Sequence, residues 1–421
     1  MRIADVCGFY APRGGGVRRY AEQKFAAARR RGHDLTLIAP GREAKIETRA
    51  GGRIVWVESP PMPFDPDYRR FARPGPVWRI LDGAAPDVVE GSSPWRGGWI
   101  AAHWPGAAVR SFVFHQDFVA GYPHTLLDRL VAPAVIDRLF APYWARLRAL
   151  SAAFDVTVAG GEWLARRLAG FGVHCPVAIP LGIEPGRFSP DRADPMLRAE
   201  LLALCGAPPS GRLLLAVGRF HPEKRHATII DGFVRARERS PSPLGLVLVG
   251  DGLARRGIER AARRAGGVHL LGEVDDRARL ARLYASADVL VHGSAAETYG
   301  MAVAEALASG LPVVVPAGGG AADLAGAGPS RLHPPGDAAA LAAGLLDLLA
   351  VPAPRVPADI PTADAHFDAL FGLYERLLAA RRSREPSPRS SRGENLWGRR
   401  RGRCDHRRCQ QPLEASHAKS E

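Results

Sequence analysis

Short runs dense in valine, leucine and isoleucine alternate with longer stretches of helical pattern, and this alternation constrains the chain's fold more than any other feature. The first half carries such runs at 3–8, 35–40, 53–58, 87–92, 111–115, 155–159 and 177–180; the second carries them at 213–218, 245–250, 268–272, 288–292 and 312–316. Residues 16–31 read as a helix between the first two runs, so the unit is strand, helix, parallel strand. The β-branched density is that of strands covered on both faces. The expectation is an α/β protein with two Rossmann-like, doubly wound parallel-sheet units in succession. Residues 180–190, PLGIEPGRFSP, hold too much Pro and Gly for an element interior and read as the linker between them. A chain of 421 residues is long enough for two cores of ordinary size.

Residues 288–316 concentrate the chemistry. Between the runs at 289–291 and 313–315, residues 300–309 are rich in Ala, Leu and Met and are stopped by Gly310. The first amides of that helix, Gly300, Met301 and Ala302, have no partner within it and present N–H groups and a positive dipole end to an anion at the strand's carboxyl edge. Glu297 lies at the helix mouth, and Glu305 inside an otherwise small, apolar run. Phosphate-binding amides flanked by carboxylates that accept from hydroxyls fit a sugar nucleotide. The alternative is that Glu297 merely complements the dipole and Glu305 is solvated. A second strand end, after 213–217, carries Arg219 and Lys224; a guanidinium can fork two phosphate oxygens and an ammonium can follow a departing diphosphate. Gly14, Gly15 and Gly16 follow the first run, and His115 and Asp117 follow the run at 111–114.

The spacing of Glu297 and Glu305, with Tyr299-Gly300 after the first Glu, closely resembles the signature of the retaining glycosyltransferases of family four, which have the two-domain GT-B fold. Gly218-Arg219 through Glu223-Lys224 resembles the same family's G-R-x-x-x-E-K pattern, and 180–190 its interdomain segment, with Leu181 at the usual Asn. The resemblance covers about residues 1–380. It implies that Glu297 contacts donor-sugar hydroxyls, Glu305 the ribose, Arg219 and Lys224 the diphosphate, and Tyr299, Gly300, Met301 and Ala302 the donor at the helix mouth. It places Gly15 and Gly16 beside the diphosphate, Val274 beside the base through its backbone, and His115 at the reacting sugar, with Asp117 orienting it or holding an acceptor hydroxyl. Gly318 to Gly320 and Asp323 stand where the family has G-G-x-x-E, with a shorter acid. The implied organisation is 1–182 for the acceptor domain, 183–360 for the nucleotide-sugar domain, 361–382 for a helix crossing back to the first domain, and 383–421 for a basic tail whose composition is that of disorder.

The expected reaction is transfer of a hexose from a UDP- or GDP-sugar to a hydroxyl acceptor (a glycolipid, a polysaccharide or a small molecule), with no metal cofactor. A mannosyl- or glucosyltransferase of cell-envelope glycoconjugate synthesis fits. An epimerase or hydrolase of the same fold, or a non-catalytic interaction protein, are the alternatives. The net charge is +14, but residues 381–421 alone carry +7, so a nucleic-acid partner rests only on the tail. Five scattered cysteines fit a reducing cytoplasm, and Cys404 and Cys409 lack the second half of a metal site. The strand-like start and the lack of a 20-residue apolar run lead to an expectation of no signal peptide and no membrane span. Contact with the inner face of an anionic membrane is left open, with residues 129–150, apolar and studded with arginine, as the candidate segment.

Overall fold

The computed structural model describes residues 1–11, 16–63, 65–127, 130–351 and 354–384, with backbone only for 65–67. Gly14, Gly15 and most of the basic tail therefore lie outside the described residues. Two parallel sheets dominate. The first runs, in spatial order, Pro176–Ala178, Val156–Ala159, Val109–Phe114, Val88–Gly91, Arg2–Val6, Asp34–Gly41, Gly52–Glu58 and Lys45–Arg49; only the last pairs antiparallel. The second, entirely parallel, runs Val268–Gly272, Leu244–Val249, Arg212–Val217, Val289–Val291, Val313–Pro316 and Ser330–His333. Helices cover both faces of each, the GT-B arrangement of two Rossmann-like units.

The sequence explains the pattern. Arg212–Val217 (RLLLAV), Leu244–Val249 (LGLVLV) and Val313–Pro316 (VVVP) are buried almost throughout because helices pack on both sides. Two strands of these sheets escaped the sequence reading, as did the separate small pair Pro61–Met62 and Asp65–Arg69: Lys45–Arg49 and Ser330–His333 are short, polar, mostly exposed edge strands with no alternation to betray them. In each sheet the strand order reverses beside the first strand of that unit: between Arg2–Val6 and Val88–Gly91 in one, and between Arg212–Val217 and Val289–Val291 in the other. Ligands of open parallel sheets bind in the crevice such a reversal opens at the strands' carboxyl ends.

The last helix, Ala363–Arg382, is capped by the Thr362 hydroxyl, which accepts from Ala365 N at 3.1 Å. Its buried Phe367, Leu370, Phe371 and Tyr374 follow the i, i+3, i+4, i+7 spacing of one face and join the core built on Ile3, Leu35, Val88 and Val109. Among the described residues no helix is long and apolar enough to cross a membrane.

The first sheet's reversal point holds a buried ionic knot. Lys24 donates to Asp5 at 3.0 Å and to Glu90; Ser92 donates to the second Asp5 oxygen at 2.5 Å, and the Tyr374 hydroxyl donates to Glu90 at 3.0 Å. Lys24 and Glu90 are fully enclosed. An unpaired charge there would be far costlier than this paired one. Lys24→Met is expected to lower unfolding free energy by about 3–5 kcal/mol by stranding the two carboxylates, as measured by urea denaturation.

Candidate functional site

On the second sheet, the two strand ends flanking the reversal supply the charged groups. After Arg212–Val217 the chain turns through a 3₁₀ segment, Pro222–Lys224, and after Val289–Val291 it runs through His292 to Glu297 before Met301–Ala308 begins. The Lys224 ammonium donates to Glu297 Oε1, and His292 Nε2 stands 3.4 Å from the same oxygen. Glu223, nearly buried, lies 3.8 Å from Lys224 and 3.7 Å from the exposed Arg219. Burial alone would raise the Glu297 carboxyl; Lys224 and His292 outweigh it and hold the group well below the ordinary range, so it is ionised. Burial would lower Lys224, but Glu297 and Glu223 raise it.

Gly300 sits at φ 98° as the N-cap, and a Cβ there would come within 3.1 Å of Ala321. The Val303 and Ala304 amides turn back to Gly300 O, which leaves Met301 and Ala302 with the first free N–H groups of the helix. The Tyr299 ring is buried in the core, so at the helix mouth this residue presents its backbone. The glycines at 318–320 brace the same loop: Gly320 N donates to Glu297 O at 2.7 Å, and a Cβ on Gly320 would fall 2.6 Å from Tyr299.

Glu305 is not solvated. It is buried, accepting from Arg277 at 2.6 Å and from the Tyr284 hydroxyl at 3.0 Å. Burial raises its carboxyl and Arg277 opposes that. Val274 packs at the edge of the same core.

The first domain faces this cluster with the ends of its own strands. The His115 imidazole meets Tyr20 edge-on, with ring centres 5.0 Å apart, and burial pushes it down to about 4, so it is neutral at pH 7. Asp117 is committed elsewhere than a substrate contact would need: one oxygen accepts from Ala120 N at 3.0 Å and the other from Arg167, which also forks Asp137 at 2.8 and 3.1 Å. Its work is to shape the loop after His115. Gly16 opens the helix Gly16–Arg30.

Contacts cross between the domains. Thr298 Oγ1 donates to His115 O at 3.3 Å, tying the Glu297 loop to the His115 strand end. Asp323, the shortened acid, accepts from Trp163 N at 2.5 Å and Arg166 at 2.8 Å, capping Glu162–Gly170 from across the cleft. Sequence reasoning missed this role, and missed His292 and Arg277 as partners of the site; only the position of His292, immediately after a buried strand, pointed toward the cleft.

Two family models match the chain: Glycosyltransferase Family 4 over residues 14–187 and Glycosyl transferases group 1 over residues 211–351. A GDP-mannose-dependent alpha-mannosyltransferase of Mycolicibacterium smegmatis is 30% identical over 398 residues, covering 90% of this chain and 99% of the relative. The chain belongs to glycosyltransferase family four. This family-four enzyme therefore uses a nucleotide-sugar donor. It is also 29% identical over 320 residues to a GDP-mannose-dependent alpha-(1-6)-phosphatidylinositol dimannoside mannosyltransferase of Mycobacterium tuberculosis, covering 75% of this chain and 79% of that one. Among solved structures, sucrose-phosphate synthase from Thermosynechococcus elongatus superposes with a TM-score of 0.70 at 21% identity, over 90% of this chain and 99% of that one. The Anabaena protein HepE in complex with UDP and glucose gives 0.59 at 18%, over 91% and 99%.

Burial pushes three histidines, His115, His226 and His366, down to about 4 from an ordinary 6.5. The unfolded chain binds protons that the folded enzyme refuses, so their contribution is present above pH 6.5 and lost as pH falls toward 4. Melting temperature should decline over that window, and His366→Gln, with its neutral amide, should flatten the decline.

Proposed function

We propose that this enzyme transfers a mannosyl residue from GDP-mannose to a hydroxyl of a lipid-linked acceptor, with retention of anomeric configuration. The carrying observation is the meeting of an ionised Glu297, Lys224 and the free amides of Met301 and Ala302 at one helix mouth, tied through Thr298 to the His115 strand end. A carboxylate for sugar hydroxyls stands beside cations and amides for a diphosphate. The mannosyl donor and the lipid acceptor are supported by the relatives' names.

In this reading Arg219, Lys224 and the helix amides stabilise the charge that gathers on the diphosphate as its bond to the anomeric carbon breaks. The acceptor oxygen attacks the same face of the oxocarbenium-like sugar, and its proton passes to the departing diphosphate. Glu297 accepts from a donor-sugar hydroxyl, His115 contacts that sugar as a neutral group, and Glu305, already ordered by Arg277 and Tyr284, takes a ribose hydroxyl on a remaining lone pair. Val274 borders the base, and Gly16 borders the diphosphate. The cations serve here in place of a divalent metal.

Incubating the full chain with GDP-mannose, UDP-glucose or ADP-glucose and mannosylated phosphatidylinositol, with and without EDTA, tests this reading. GDP-mannose should give an α-mannosylated lipid at a rate EDTA leaves unchanged. Lys224→Ala should lose about 3 kcal/mol in kcat/KM. Donor breakdown without acceptor transfer would favour an epimerase or hydrolase instead.

For the acceptor's membrane, the structure divides the candidate segment. Trp144, Leu147 and Leu150 of Ala141–Ser151 are buried, whereas Leu126, Leu130, Val135 and Leu139 are exposed, Leu130 by 84%, beside the exposed Arg138 and Arg146. Arg129 lies outside the described residues. We place peripheral contact with an anionic cytoplasmic leaflet on 126–139. Leu130→Asp with Leu139→Asp should abolish flotation with phosphatidylserine vesicles and leave the melting temperature unchanged.

A further inference from the structure

Glu297 is gripped at one oxygen only. Lys224 Nζ and His292 Nε2 both address Oε1, and no hydrogen bond from the described residues falls on Oε2. The Glu297 side chain keeps 20% of its surface open, so the second oxygen is the one available to a ligand.

His292 is built in rather than draped. It directly follows the buried strand Val289–Val291, its N–H donates to Val314 O at 2.8 Å, and its carbonyl lies 3.5 Å from His333 Nε2. The ring is buried, and Nε2 has no fully formed hydrogen bond. A buried polar nitrogen left in that condition is costly, and the carboxylate 3.4 Å away is the acceptor within reach. The small remaining gap closes when the carboxylate moves toward the ring.

Such movement has a cause in the proposed reaction. Besides the more distant Glu223, Lys224 has two claims on it: Glu297, to which it donates, and the diphosphate, whose charge grows as the sugar leaves. An ammonium is a mobile point charge and turns toward the larger anion. Glu297 would then lose its principal anchor at the step where the flattening sugar most needs it.

We infer that His292 is a positioning residue for sugar transfer, the second anchor that keeps Glu297 Oε2 aimed at the donor sugar while Lys224 engages the departing diphosphate. This rests on the proposed contact of Glu297 with the donor sugar. It assigns His292 a role in turnover with little part in nucleotide affinity, since the imidazole reaches the substrate only through Glu297.

Steady-state kinetics of His292→Phe, His292→Gln, Glu297→Gln and the His292→Phe/Glu297→Gln double variant would test it, with the nucleotide hexose that the wild type turns over fastest and with melting temperature and GDP affinity measured alongside. His292→Phe should lower kcat by about tenfold or more, the scale of one hydrogen bond to a charged group, with KM for the donor within about twofold. His292→Gln should recover most of that loss, because its amide can donate from nearly the same place. The double variant should be no slower than Glu297→Gln alone, as for residues acting as a unit. Wild-type kcat in His292→Phe, a Gln variant no better than Phe, or multiplicative losses in the double variant would each overturn the inference. Wild-type turnover in Glu297→Gln would overturn the underlying sugar contact as well, which separates the two failures.

Discussion

A parallel sheet imposes one geometric demand on this enzyme: every strand must be re-entered from the same end, so every loop leaving a strand gathers at the opposite edge. In both domains that edge bears the residues of the proposed site. His115 leaves one sheet; Arg219, Lys224, His292 and Glu297 leave the other. The reversal of strand order then opens a crevice where loops on its two sides can reach a common ligand. The site is thus a by-product of connectivity, and its residues are far apart in sequence because successive strands are separated by whole helices.

Within that frame the polar groups are arranged in shared pairs. Lys224 lies between Glu297 and Glu223, Arg277 between Glu305 and Glu184, and Arg167 between Asp117 and Asp137. A cation shared by two carboxylates can be half-released without leaving a naked buried charge, which suits the proposed binding and release of a diphosphate. The same economy appears in the buried Lys24 knot, where nothing is released and the arrangement serves only to fix strands and helices.

Much of this was legible in the sequence, for physical reasons. Covered parallel strands cannot hide their β-branched density, and glycines such as Gly300 and Gly310 mark helix ends through backbone conformations other residues resist. Glu305 stood out because charge is rare in a small, apolar run, and Glu297 because it lies at the mouth of the same helix. What stayed hidden depends on residues brought together only by folding. Asp323 stood out in the sequence only as a shorter acid than the family's, yet it caps Glu162–Gly170 across the cleft, a helix more than 150 residues away in the chain. Asp117 looked like a partner for His115 or for an acceptor hydroxyl, yet Arg167, invisible at a distance of 50 residues, claims it. Edge strands such as Lys45–Arg49 carry no pattern because one side of them faces solvent.

The crossing helix has a consequence for biosynthesis. Phe367, Phe371 and Tyr374 complete the first domain's core, and Tyr374 reaches the Glu90 knot. The ribosome finishes the last strand of that domain, Pro176–Ala178, well before it makes Ala363–Arg382. At about 5–20 residues per second the emerging first domain waits roughly 10–40 s with an open apolar groove and an incompletely bonded buried carboxylate. Its final consolidation therefore waits for the last helix, and a nascent chain stalled before that helix exposes the surface that holding chaperones recognise.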